Sequence, residues 1–205
     1  MRNGRLSDTL GPKTGLGSEH TRLRLLEAAL DLLAERGYRG ATTQEIARRA
    51  GVNELTLFRH FGTKEALLRE ALAAFVPEGF LERLPGEDTP LEEGLKAILE
   101  AYRSLLEARQ GLLPGLLAEL LRHPSLASAG PPRGVLQVVE WVVGFFRAKQ
   151  EVGLLRQDEP PEELALAFVG PLLARFILEK ALGVRFDLEP EVYLRGYLEG
   201  RYGAR

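Results

Sequence analysis

From about residue 18 onward, apolar residues recur at helical spacing, and few stretches hold the β-branched, alternating pattern of a strand. Leu26, Ala29, Leu30 and Leu33 fall at i, i+3, i+4 and i+7, which predicts a first helix over 18–36 that Gly37 ends. Thr42, with Glu45 three residues later, is a capping box opening a short second helix over 43–50. Gly51 supplies the turn, and Asn53 caps a third helix that runs to Phe61. Ile46, Val52, Leu57 and Phe61 form the buried side of this pair, with Ala47 where the two helices touch. A fourth helix begins at Thr63 and ends near Pro77. The segment 77–90 is broken by Pro and Gly and reads as a hinge. Beyond it, helices are expected over 91–109, 114–122, 134–151, 162–182 and 191–202, with a loop at 123–133.

The chain is therefore all-α. Its 205 residues, 45% hydrophobic, suffice for one or two ordinary cores. No window approaches the ~18 apolar residues of a membrane span, and the first residues lack the apolar run of a signal peptide, so no membrane association is expected and a cytoplasmic protein is. With no cysteine, disulfides, thiolate metal sites and cysteine catalysis are excluded. His20, His60 and His123 lack any metal-ligand spacing, so neither a metal nor a cofactor is expected. Ser104, Ser125 and Ser128 have no histidine partner at usable spacing and no paired carboxylates are legible, which argues against an enzyme.

Charge is divided unevenly. Residues 1–76 hold 12 Lys and Arg against 9 Asp and Glu, while 77–205 hold 15 against 20. The basic excess thus travels with the two short helices, which read as a helix-turn-helix. Their outward residues are Gln44, Glu54, Leu55, Thr56, Arg59 and His60, a mixed polar and basic face of the size that enters the major groove of B-DNA. Residues 1–17 read as a disordered basic arm, in which Arg2, Arg5 and Lys13 are a solvated tail or phosphate contacts. Arg22 and Arg24 are either placed to meet DNA backbone when the domain docks or are simply a solvated helix face. Lys64, a cation in the first turn of a helix, opposes the helix dipole, which a phosphate over the free N–H groups would explain.

Residues 21–76, and in them LLEAALDLLAERGY, ATTQEIARRAGV and LTLFRHFGTKEALL, resemble the DNA-binding domain of the TetR family of transcriptional regulators in order and spacing. The resemblance implies about nine helices, a homodimer and ligand-relieved repression. It divides the chain into a helix-turn-helix domain over 18–76, including the connecting fourth helix, and a ligand-sensing and dimerisation domain over 77–205. It puts Gln44, Glu54, Leu55, Thr56 and Arg59 at base-contacting or groove-lining positions and Thr42, Phe58, His60 and Lys64 at phosphate-facing ones. Thr43 and Asn53 complete the candidate DNA surface. Phe58 replaces the family's usual tyrosine, so packing remains there without a hydroxyl. Glu54 can accept from a cytosine amine or favour the helix dipole, and Arg59 can pair with guanine or with phosphate.

In the C-terminal part, Trp141, Phe145 and Phe146 form an aromatic stripe that is either plain core or the lining of a hollow, ligand-admitting core. The candidate effector lining is Tyr102, Leu106, Leu117, Trp141, Phe145, Phe168 and Arg175, which suits a lipophilic or aromatic compound, an acid if Arg175 points inward. Helix 162–182 is apolar nearly all round, as expected of a helix buried by its own core and by a second copy, and Pro171 is expected to kink it. Gly196 and Gly200 suggest close approach of a neighbouring helix. The candidate dimer residues are Phe168, Leu172, Arg175, Tyr193, Gly196, Tyr197 and Gly200, forming a four-helix bundle between two subunits. The expected partners are operator DNA, a second copy and a small effector. The rival reading is a ligand-independent architectural or division-associated DNA binder, whose sign would be a filled core. Repression and activation both remain open, because the sign depends on operator position.

Overall fold

The computed structural model describes residues 14–77, 79–123 and 133–200, so the expected arm 1–17 lies mostly outside the described residues. Every regular element among them is a helix: α1 Thr14–Gly40, α2 Thr43–Arg49, α3 Glu54–Phe61, α4 Lys64–Ala73, a 3-10 turn Leu81–Arg83, α5 Leu91–Ala108, α6 Leu113–Arg122, α7 Arg133–Glu151, α8 Pro161–Leu182 and α9 Pro190–Glu199. Helix α1 starts four residues before the expected 18. Its helical backbone breaks at the expected place, since Gly37 adopts φ 69°, ψ 179° and one further turn leads to Gly40.

The three head helices are capped as the sequence dictates. Thr42 Oγ1 accepts from Glu45 N, Asn53 Oδ1 from Thr56 N, and Thr63 Oγ1 from Ala66 N. Gly51, in the turn between α2 and α3, has φ 69°. Leu25, Leu26, Ala29 and Leu33 of α1 close over Ile46, Leu57, Phe61, Leu67 and Leu68 to make one core. A second core gathers Leu95 and Ile98 of α5, Phe145 and Phe146 of α7, Phe168 of α8 and Tyr197 of α9. There the tip of the Phe145 ring meets Gly94, where an added Cβ would be 2.2 Å from Cζ.

The boundary near residue 77 divides the sequence but not the packing. Helix α6 leaves the body and docks along α1, with Leu116 buried in the head core. Only glycine fits at Gly115, because a Cβ there would lie 2.3 Å from the carbonyl oxygen of Ala34. Helix α8 carries Pro171 on an exposed face and stays helical from Pro161 to Leu182. Helix α4 ends at Ala73 rather than at Pro77, since Ala74, Phe75 and Val76 form a turn. Among the described residues, no helix is long and apolar enough to cross a membrane.

Candidate nucleic-acid interface

Helix α3 is anchored by Leu57 and Phe61 and turns Glu54, Leu55, Phe58 and Arg59 outward. Leu55 is 68% exposed, so its side chain is open to contact from outside the head. Phe58 is also exposed, so its ring is available for contact rather than packed in the head. Arg59 makes no ion pair or hydrogen bond among the described residues, which leaves its guanidinium free for a base or a phosphate. Gln44 on α2 is exposed beside this face, and His60 is half-buried with its ring 6.0 Å from that of Phe61.

Several expected contact residues are already occupied within the head. Thr43 Oγ1 donates to Glu54 Oε1, which ties the start of α2 to the start of α3. Glu54 is thereby a brace between the helices as well as an acid in the first turn of α3. Thr56 Oγ1 donates to Asn53 Oδ1 at 2.8 Å, so this pair fixes the helix entry. Lys64 does not extend from α4. Its Nζ donates to Tyr38 O at 2.5 Å and sits 4.3 Å from the centre of the Tyr38 ring. Burial pushes its ammonium pKa down, offset in part by Glu65.

The arginines of α1 separate in role. Arg22 pairs with Glu70 of α4 and lies over the Phe61 ring, 5.6 Å from its centre, so it holds α1, α3 and α4 together. Arg24 reaches the helix-turn-helix turn, where its Nη1 would be 3.6 Å from a Cβ on Gly51, and its buried Nε has no hydrogen-bond partner. The Nη1 end of the guanidinium, beside the turn, makes no ion pair among the described residues. On the flank, Glu45 accepts from Arg48 and Arg36, and the Arg48 hydrogen bond pulls its carboxyl down to about 2.

The body residues named from sequence divide differently from expectation. Phe145 and Phe168 are buried with Phe146, and Phe168 is 0% exposed, so no water-sized space touches that ring. The stripe at this level is filled core. Trp141 is not part of it: one side of α7 faces the 81–88 segment, and Trp141 is 46% exposed with Nε1 donating to Pro85 O at 3.0 Å. Leu106 is buried, and Leu117 and Tyr102 are half-buried against the body core. Burial raises the Tyr102 hydroxyl to about 12.

Four of the expected dimer residues face their own protomer. Phe168, Leu172 and Tyr197 are buried, and Tyr193 and Tyr197 donate hydroxyl bonds to the carbonyls of Phe168 and Leu164. Helical geometry accounts for this burial, because α9 needs its tyrosine face to close the core behind Phe168. Arg175 also faces inward, toward α5, and pairs with Glu179 at 3.2 Å. Gly196 and Gly200 are exposed with nothing within 4 Å of an added Cβ. The outward residues of α8 that the sequence reading did not single out are Leu166, Leu173, Leu178 and Leu182, with Val192 on α9, all exposed. Their signal was present, since an all-round apolar helix has a second face and the tyrosines had claimed the first.

Residues 25–71 match the family described as bacterial regulatory proteins of the tetR family. The HTH-type transcriptional regulator TcmR of Streptomyces glaucescens is 35% identical over 184 residues, covering 74% of this chain and 81% of TcmR. The chain belongs to the TetR family. It is accordingly a DNA-binding transcriptional regulator and not an enzyme. The uncharacterized HTH-type regulator YvkB of Bacillus subtilis is 28% identical over 83% of this chain and 89% of its own length. Among solved TetR-like folds, the flavonoid-responsive regulator FrrA superposes with a TM-score of 0.70 at 23% identity, over 90% of this chain and 98% of FrrA.

Proposed function

We propose that the protein acts in the cytoplasm as a homodimeric repressor that binds a palindromic operator through α3 and is released by a small effector. The observation that carries the DNA reading is the exposed face Leu55, Phe58 and Arg59 on a helix otherwise anchored in the core, with the Arg24 guanidinium end beside its turn. Leu55 suits a thymine methyl and Arg59 a guanine edge, while Arg24 and the exposed first turn of α2 suit phosphates. The dimer reading rests on the exposed leucines of α8 together with Val192 and the open glycines of α9, a surface that a second copy would cover. Two recognition helices would then lie one duplex turn apart, ~34 Å. An effector that binds the non-DNA conformer more tightly relieves repression, with a coupling of ~1–3 kcal/mol being typical.

The second reading, a ligand-independent DNA-binding dimer, is favoured by one observation, the filled aromatic core around Phe146 and Phe168. Selection of bound sequences from random duplex DNA at two salt concentrations tests the proposal. One inverted repeat with a steep salt dependence is expected. Recovery of unrelated sequences with equal affinity would contradict it.

A further inference from the structure

The filled core moves the question of an effector to another place. A cavity of about 360 Å³ opens between α5, α8 and the segment 185–189 that leads into α9. Its apolar wall is made by Leu106 and Leu172, both buried, and by Phe176 and Leu188. At this wall stands Arg175, with its side chain 22% exposed. Only its Nε is engaged, on Glu179 Oε1, and neither Nη has a partner among the described residues.

Glu179 takes both of its hydrogen bonds on one oxygen, Oε1. It accepts from Phe186 N at 3.0 Å as well as from Arg175, and those two interactions, the Phe186 N–H first, hold its carboxyl below the ordinary range. Arg185 adds a second positive charge near the same carboxylate, and Arg103 lines the cavity with no ion pair among the described residues. Arg175 is thus the half-buried cation of the lining, while Arg103 and Arg185 stand at its exposed rim. The remaining acids of the lining, Glu107, Asp187 and Glu189, are exposed, where water screens them.

We infer that this cavity binds a small amphipathic carboxylate, its acid on the free Nη groups of Arg175 and its apolar body against Leu106, Leu172 and Phe176. A guanidinium fork matches a carboxylate in two parallel bonds, and a volume near 360 Å³ is at the small end of ligand sites. The position suits a regulator, because the same helix presents Leu173 and Leu178 on its exposed side. The inference deepens the effector part of the proposed function, and its test needs no DNA, so its failure leaves operator recognition standing and the reverse also holds.

The probes are phenylbutyrate, phenylbutanol and phenylbutylamine, titrated calorimetrically into the DNA-free protein. One phenylbutyrate per protomer is expected, bound at least tenfold more tightly than the alcohol, with no binding of the amine. Arg175→Gln should lower phenylbutyrate affinity at least tenfold and leave the alcohol unchanged. Because that change strands Glu179, the double variant Arg175→Gln/Glu179→Gln keeps a neutral amide pair and should show the same loss, and Glu107→Gln should show none. Equal affinity for acid and alcohol, absence of phenylbutyrate binding, or full affinity in the double variant would overturn the inference.

Discussion

The backbone N–H of Tyr38 donates to Glu119 Oε2 at 2.7 Å, joining the end of α1 to α6 across 81 residues of sequence. The carbonyl of the same tyrosine accepts from Lys64 Nζ at the start of α4. One residue in the last turn of α1 is therefore gripped on one side by the helix that follows the recognition helix and on the other by a helix from the body. Glu119 is 7% exposed and also meets Arg122 and His123, at 2.6 and 3.6 Å. An added Cβ on Gly37 would strike its carboxylate at 2.9 Å. Any rotation of α6 must carry this contact with it or break it.

Breaking it should be visible in stability and in its pH dependence. Glu119→Ala is expected to cost ~1–3 kcal/mol by leaving the Tyr38 N–H without its partner. The Tyr38 N–H, then Arg122 and His123, hold the Glu119 carboxyl below its ordinary 4.5, despite burial. A depressed carboxyl favours the fold fully above its unfolded value and ceases to as pH falls through the lower folded one. The gap in thermal midpoint between wild type and Glu119→Ala should therefore hold from neutral pH to about 5 and narrow below that. A gap that does not vary with pH would show the carboxylate's charge to be irrelevant.

Arg59 and Arg24 should differ in kind. Arg59→Ala is expected to lower operator affinity by ~1–3 kcal/mol, about 5- to 150-fold, and to relax preference at one position of each half-site. Arg24→Ala should weaken all sequences alike and reduce the salt slope by about 1. Competition binding at two salt concentrations separates the two patterns, and identical profiles for both variants would remove the assignment.

Glycines on α6 and α9 give opposite expectations for the same substitution. Gly115→Ala drives a methyl into the Ala34 carbonyl, so α6 must shift off α1, at ~1–3 kcal/mol of stability. Gly196→Ala meets nothing within its own protomer and should favour helix formation by ~1 kcal/mol while weakening self-association. Chemical denaturation reads the first, and sedimentation equilibrium reads the second.

Leu173→Glu places a charge in the exposed apolar face of α8 without touching the core. It should yield a folded monomer with much reduced operator affinity. A folded dimer of unchanged affinity would move the interface elsewhere.

The head was nearly all legible in the sequence because local chemistry specifies it. Thr42, Asn53 and Thr63 cap three helices within a few residues of themselves, and Leu57 and Phe61 fix which side of α3 is hidden. What remained illegible depended on partners distant in sequence. The expectation of a phosphate at Lys64 carries no sign of its contact with Tyr38, 26 residues away, and the two readings of Glu54, base contact or helix-dipole acid, carry none of its bond from Thr43. In the body, periodicity announced an apolar helix at α8 but not which face meets α9. That choice was made by Tyr193 and Tyr197, whose hydroxyls need the α8 carbonyls of Phe168 and Leu164. Trp141 reads from the aromatic stripe as core or as ligand lining, whereas Pro85 O offers its indole N–H a bond at the surface.

The central claim is that two copies read one operator with fixed spacing between their α3 helices. Its most direct test is the affinity for a selected inverted repeat compared with the same half-sites moved apart by half a helical turn, about 5 base pairs. Two protomers per duplex and a loss of at least about 100-fold in the displaced repeat are predicted, since the second head then faces the wrong side of the duplex. Equal affinity for both duplexes, or one protomer per duplex at saturation, would contradict it.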